Sequence, residues 1–283
     1  MFRGLGKLFL VGSLLLNIGC ANLVSGVTSK LADDLAASIL NSEDIDTVKA
    51  GVPAYLLLID SFLRSNPQSE ELLLAASALN GSFAALVDDN ERVKLLSDKS
   101  LRYADQAACV ADSLLCGART RSYPEFVRTV GALKVNDLSV AYAVGVAWVG
   151  RLQANSDDWA VIAELSRAKL LMGRVLELDE TFENGGSHLY MGGMETLLPA
   201  SLGGKPELGR LHFERAIEIN ESYLMTKVIY AEQYARLVFD EELHDRLLNE
   251  VLSADPIVEG MTLVNRIAQE RAKDLLSKSK DYF

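Results

Sequence analysis

Few residues in this chain stand at spacings that chemistry would use. Glu241-x-x-His244 puts a carboxylate and an imidazole on one helix face, as in carboxylate-bridged di-metal bundles. Such a site needs a second copy and two further glutamates. The residues three before His188 and His212 are Gly185 and Gly209, so neither histidine supplies that copy. The motif therefore reads as a solvated surface pair, and no metal or other cofactor is expected. Gly203-Gly204-Lys205-Pro206 has the look of a phosphate loop. A Walker loop needs glycine where Pro199 stands and Ser or Thr where Pro206 stands, so nucleotide binding is set aside. No Gly-x-Ser-x-Gly elbow occurs. Cys109 lies in Ala107-Ala108-Cys109-Val110-Ala111, surroundings that raise a thiol pKa and make it inert. On one straight helix Cys109 and Cys116 would stand about 10.5 Å apart, beyond the roughly 7 Å a disulfide spans. A bridge needs a chain reversal between them, and two buried free thiols are the favoured expectation. Adjacent acids such as Asp88-Asp89 and Asp157-Asp158 point apart on a helix or cap it. None of this supports an enzyme.

The elements that would position these residues are helical. Ser69-Glu70-Glu71 opens an apolar run, with Ser69 as N-cap and acids in the first turn. Asp137-Leu138-Ser139 precedes Ala141 to Leu152. Asp157-Asp158-Trp159 opens a stretch reaching Leu178. Pro206 takes the first helical position ahead of Leu208 to Ile219, and Glu241 to Ala254 ends at Asp255-Pro256. Val127 to Val140 reads as helix–turn–helix. Pro53, inside Val48 to Leu63, opens a second helix or kinks a longer one. Alternating strand patterns are scarce, so the class is all-α.

Helix endings repeat. Arg174 to Glu180 lies over Arg215 to Glu221 at an offset of 41 residues. Leu252 to Pro256 and Leu63 to Pro67 have the same form. The pattern resembles the close of tetratricopeptide repeats with lengthened loops, and stacked helix pairs present a concave surface that suits proteins or peptides.

Composition narrows the partners. The 283 residues carry 28 basic and 39 acidic side chains, a net charge of −11. No run of four Lys or Arg exists, which argues against nucleic acid. Apolar residues form 49% of the chain, which excludes a disordered polymer. The first segment, with Arg3 and Lys7 before Leu8–Leu16, reads as a signal peptide over 1–19. Leu16-Asn17-Ile18-Gly19-Cys20 resembles a bacterial lipobox, with Asn17 where an aliphatic residue is usual. Cys20 is the expected lipid anchor, and residues 20–283 the single mature domain. Cleavage removes two basic residues and no acid, taking the charge to −13. Ala21 after the cysteine favours the outer membrane, facing the periplasm.

A resemblance covers nearly all of that domain. Gly185 to Gly192, Leu197-Leu198-Pro199, Gly203 to Glu207, His212 to Ala216, Lys227 to Glu232 and Leu263 to Ala268 stand in an order similar to the T-component family of TRAP transporters, the tripartite ATP-independent periplasmic importers. Leu101-Arg102-Tyr103-Ala104 and Val146-Ala147-Trp148 extend it. The resemblance implies an α-helical lipoprotein with cryptic tetratricopeptide-like repeats, associated with the transporter's periplasmic substrate-binding protein and handling a hydrophobic ligand. It implies no catalytic residue, and a homo-oligomer stays open. A carrier holding a lipid-like molecule in its own apolar cavity, and a generic outer-membrane assembly scaffold, are the alternatives. The Gly-rich segments Asn184–Tyr190 and Ser201–Pro206 are the candidate site. Either they are tight turns alone, or they line a cavity mouth or docking rim formed by His188, Tyr190, Met191, Gly203, Gly204 and Lys205, with the first three facing in.

Overall fold

Short polar residues start the helices. Asp44, Ser69, Asp89, Asp158 and Asp240 each turn a side-chain oxygen back onto a backbone N–H of the following turn, at 2.8–3.3 Å. Each such cap stabilises its helix by about 1 kcal/mol. In this computed structural model, which describes residue 34 and residues 36–283, every regular element among the described residues is helical. The signal segment, the lipobox and Cys20 lie outside the described residues.

The elements are α1 (Ile45–Ser65), α2 (Glu70–Ala84), α3 (Asn90–Val110), α4 (Tyr123–Gly131), α5 (Leu138–Ala154), α6 (Trp159–Ile162) and α7 (Leu165–Leu178). They continue as α8 (Phe182–Thr196), α9 (Pro206–Ile219), α10 (Met225–Ile229), α11 (Glu241–Ser253), α12 (Thr262–Ser277) and α13 (Ser279–Tyr282). A π-helical turn, Tyr230–Ala235, prolongs α10. No single helix among the described residues is long and apolar enough to cross a membrane.

Most helix bounds follow the sequence signals. Ser69 caps α2, Pro206 opens α9, and α11 stops before Pro256. Val127–Val140 is helix–turn–helix as expected: the end of α4, a connection with one 3₁₀ turn at Val135–Asp137, and the start of α5. Pro53 neither starts nor ends a helix, because α1 runs through it. The stretch from Asp157 to Leu178 divides into α6 and α7. No glycine or proline marks the break. It falls at Glu164, whose carboxylate receives the Trp148 indole N–H at 2.6 Å and the guanidinium groups of Arg119 and Arg151 at 3.3 and 3.1 Å.

The cysteines correct an expectation. α3 ends at Val110, and the chain turns back through left-handed Asp112 (φ 52°) and Gly117 (φ 66°). That reversal brings the Cys109 and Cys116 Cα atoms to 4.4 Å, and the two are joined in a disulfide. Cys109 is exposed, not buried. The straight-helix geometry failed because the helix stops one residue after the first cysteine.

Successive helices pack as neighbours: α2 on α3, α3 on α5, α5 on α7, α7 on α8 and α8 on α9. The main core lies among α3 to α8, where Phe126, Leu133, Trp148, Leu152, Leu171 and Met172 are wholly covered. Phe126 meets Trp148 edge-to-face at 5.9 Å. A second core joins α9 to α12 around Phe213, Val228, Leu248 and Ala268. The chain then returns to its start. Leu263 of α12 packs with Ile45 and Val48 of α1, the Gly260 N–H donates to the Asn41 side chain at 2.7 Å, and Arg266 pairs with Glu43.

Candidate functional site

The α8–α9 pair carries all six predicted residues. Its first turn is irregular: Glu183, Asn184 and Gly185 all adopt left-handed φ, at 49°, 56° and 77°. For the first two that geometry costs about 1–2 kcal/mol per residue, less for Asn. The run re-aims the chain so that the segment after Gly185 lies between α7 and α9. Gly185 to Thr196 is then covered almost all round.

Within α8, His188 is 9% exposed. Its Nδ1 lies 2.9 Å from Nδ1 of His212 on α9, and its Nε2 3.4 Å from a Glu180 oxygen. Arg215 donates to the same Glu180 carboxylate at 2.6 Å. Burial lowers the pKa of His188, with Glu180 pulling the other way. Burial, and then His188 itself, lowers that of His212. Two facing Nδ1 atoms at this distance share one proton, so the pair is stable when both rings are neutral. It is a latch between α8 and α9.

Tyr190 is half-buried and meets Tyr142 of α5 at 6.2 Å; Tyr142 in turn meets Phe182 at 5.5 Å. Burial pushes the Tyr142, Tyr190 and Tyr223 phenols up, so all three remain protonated donors. Met191, 8% exposed, belongs to the main core. Further along α8, Glu195 is buried and paired with Lys169 of α7 at 2.7 Å.

The other three residues sit at the far end of the helix pair. Gly203 holds φ 90°, and a Cβ on Gly204 would stand 1.7 Å from the Leu198 carbonyl oxygen, so that turn needs glycine. The Lys205 N–H donates to the Glu195 carbonyl at 2.9 Å while its side chain is exposed. The structure thus does not bring the six together. His188, Tyr190 and Met191 belong with Ile219 and Tyr142 near the start of α8, and Gly203 to Lys205 with Leu198 near its end.

What surrounds that turn is apolar and open. Leu202 is 56% exposed, Leu211 53% and Leu208 37%. Leu208 and Leu211 are one helical turn apart on the outer face of α9. The inner face of α9 closes tightly instead. A Cβ on Gly209 would meet Thr196 Cγ2 at 2.6 Å and the Gly192 carbonyl at 3.1 Å. Two helix backbones approach there closely enough to exclude any side chain.

The Glu241-x-x-His244 motif is not a solvated pair. Glu241 meets Lys280 at the surface, at 3.0 Å. His244 is wholly buried, 2.8 Å from the Asp245 carboxylate and edge-on to Phe283. Leu247, Leu248 and Val251 recur on the same buried stripe, and that periodicity was the available signal for His244. Among the described residues, no group of three or more His, Cys, Asp or Glu stands close enough to hold a metal ion. Asp89 and Asp158 are caps, as their pairing with Asp88 and Asp157 allowed. Glu180 and Tyr142 were missed as site neighbours because nothing in sequence ties α5 or the end of α7 to His188; His212 and Arg215 of α9 were missed too, although His212 follows Gly209 at the spacing by which His188 follows Gly185.

A search among curated proteins returns no match. The family model described as "TRAP transporter T-component" matches residues 41–283, which takes in both cores and the whole α8–α9 pair. An all-helical chain matched over that length belongs to the TRAP transporter T-component family, and so has a role in TRAP transport.

Proposed function

We propose that the protein is a lipoprotein of the cell envelope, anchored through Cys20 to the outer membrane. Its helical body docks the periplasmic substrate-binding protein of a TRAP transporter and assists uptake of that protein's ligand, without catalysis of its own. The observation that carries the reading is the family match over residues 41–283. The exposed leucines beside a glycine-built turn support the place of docking: Leu202, Lys205, Leu208 and Leu211 form an apolar rim with one cation. Exposed apolar side chains gathered together and rimmed by polar residues mark protein-interaction sites.

The repeat reading belongs to the same proposal. Asn66, Asp179, Asn220 and Ala254 each close a helix by donating the backbone N–H to the carbonyl four residues back. Those are the four endings that repeat in the sequence. With the Gly192–Gly209 contact, they support stacked, degraded tetratricopeptide-like pairs.

Two measurements test this. Titrating the mature protein with the substrate-binding protein should give saturable 1:1 heat, and absence of binding at high micromolar concentration refutes docking. Cys20→Ala should release the protein from membranes; a variant still fully sedimenting with membranes refutes the anchor. The acyl chains bury about 0.8 kcal/mol per CH₂, so losing them removes most of the membrane affinity.

A further inference from the structure

The segment around α4 departs from the acidic character of the chain. Between Ser113 and Asn136 stand Arg119, Arg121, Arg128 and Lys134 against one acid, Glu125, while the whole chain carries −11. α4 turns Phe126 and Val130 into the main core. It leaves Tyr123 47% and Val127 40% exposed, one helical turn apart. Val135, in the 3₁₀ turn that follows, is 61% exposed.

The cations beside these apolar groups keep their charge. Arg119 is neutralised by Asp105 and Glu164. Arg121 instead donates to neutral oxygens, the Thr129 hydroxyl at 3.0 Å and the Cys116 carbonyl at 2.9 Å. Arg167 of α7 donates to the Arg121 carbonyl at 3.0 Å and lies 5.5 Å over the Tyr123 ring. Arg128 and Lys134 are exposed. None of these four pairs with a carboxylate among the described residues. Glu125 is turned back on Ser122, accepting its N–H at 3.1 Å and its hydroxyl at 2.6 Å. The patch is held together from α7: besides the Arg167 bond, Arg174 donates to the Leu133 carbonyl at 2.8 Å, beside Lys134 and Val135. α9 differs in charge, with Glu207, Glu214 and Glu218 against Arg210 and Arg215, so an anionic surface that attracts α4 repels α9.

We propose that the α4 face lies on a phospholipid surface with anionic headgroups. Arg121, Arg128 and Lys134 stand among the phosphates, Arg167 adds its charge behind Tyr123, and Tyr123, Val127 and Val135 reach the acyl boundary. An amphipathic helix with basic and apolar groups on its open side rests in the plane of such an interface. Each cation near an anionic membrane contributes about fivefold in affinity, the equivalent of about 1 kcal/mol. The acidic remainder of the chain is repelled while this face is attracted, so the contact orients the body on the membrane. An acidic protein would meet the same cations; lipid is preferred because an anchor at Cys20 keeps headgroups within reach. The inference thus rests on the membrane address proposed above, but the contact itself needs no acyl chain.

Co-sedimentation of the mature chain carrying Cys20→Ala, which has no acyl group, with vesicles tests it at about 0.1 M salt, where surface charges act over about 10 Å. Vesicles of equal phosphatidylglycerol and phosphatidylcholine should bind at least about 25-fold tighter than phosphatidylcholine alone. Arg128→Gln with Lys134→Gln removes two side chains that make no hydrogen bond among the described residues. That pair should lower affinity for the mixed vesicles about 25-fold and leave the circular dichroism spectrum intact. Lys273→Gln, at an exposed lysine of α12, should change it by less than about twofold. Equal affinity for the two kinds of vesicle overturns the proposal. So does unchanged binding of the double variant, or an equal loss in Lys273→Gln, which would refer binding to net charge. Loss of the substrate-binding protein by the double variant, with no vesicle binding by its parent, assigns the patch to an acidic protein and overturns the lipid reading. A wash at about 1 M salt, where charges act over about 3 Å, strips this contact but not acyl chains, so the anchor at Cys20 is read separately.

Discussion

α8 and α9 are neighbours of one length class, joined by one turn, and they are built for opposite ends. From Gly185 to Thr196, α8 is covered on nearly every side, including His188 and Glu195. α9 buries only Gly209, Phe213 and Ala216 and leaves Leu208 and Leu211 in solvent. The same residue type serves both in different ways. Gly192 and Gly209 let the two backbones touch, whereas Gly203 and Gly204 shape the turn that presents Lys205. Glycine richness alone therefore does not tell a turn with exposed apolar neighbours from a helix packed into the core.

If α8 is a core element, removing its buried ionic partner should do the most damage. Lys169→Met strands the Glu195 carboxylate, which is 5% exposed. The loss should be about 3–5 kcal/mol, the usual cost of leaving one buried charge unpaired. Replacing both residues, Lys169→Met with Glu195→Leu, should recover most of it. Urea denaturation of the three variants checks this, and a near-neutral single variant breaks the contrast. Met191→Ser comes next, at about 2–4 kcal/mol, because it opens a cavity and buries a hydroxyl in the main core. Loss of helix signal along with any binding defect would place Met191 in the scaffold and not in a site.

The latch between the helices sharpens the contrast through pH. Both histidines are held below their ordinary 6.5 by burial first. The unfolded chain therefore takes up protons before the folded one does. Their contribution is fully present above about pH 6.5 and is lost as pH falls through the lowered folded values. Melting temperature should drop between about pH 7 and 5, and His212→Gln should flatten that drop. A parallel slope in the variant would assign the acid sensitivity elsewhere. Smallest in stability is the outer face: Leu208→Ser with Leu211→Ser should change unfolding free energy by no more than about 0.5 kcal/mol.

The legible parts of this molecule were those with local causes. N-caps at Ser69 and Asp89, the proline at the start of α9, and the stop before Pro256 each act within a few residues, so the helices and their order could be read. The break at Glu164 could not, since its partners Arg119 and Arg151 come from other elements. The disulfide was misread because it depends on where α3 ends, and boundaries are weakly encoded. In the site, both Gly-rich segments were found, yet their separation to opposite ends of α8 was not, because Asn184–Tyr190 read as a turn, whereas the chain after Gly185 is helix and rises about 1.5 Å per residue away from it. His188 was singled out without its partner His212, although a Gly-spaced histidine on each helix of a predicted pair was there to be matched.

The central claim is that α9's open face docks the substrate-binding protein of the same TRAP transporter while α8 holds the scaffold. Titration calorimetry of that protein against the mature chain, and against the Leu208→Ser, Leu211→Ser double variant, tests it most directly. The account predicts saturable binding to the unmodified chain and at least about a tenfold loss in the variant, with its melting temperature unchanged, as for removal of an interface anchor. Equal affinity of the two chains for the substrate-binding protein would contradict it.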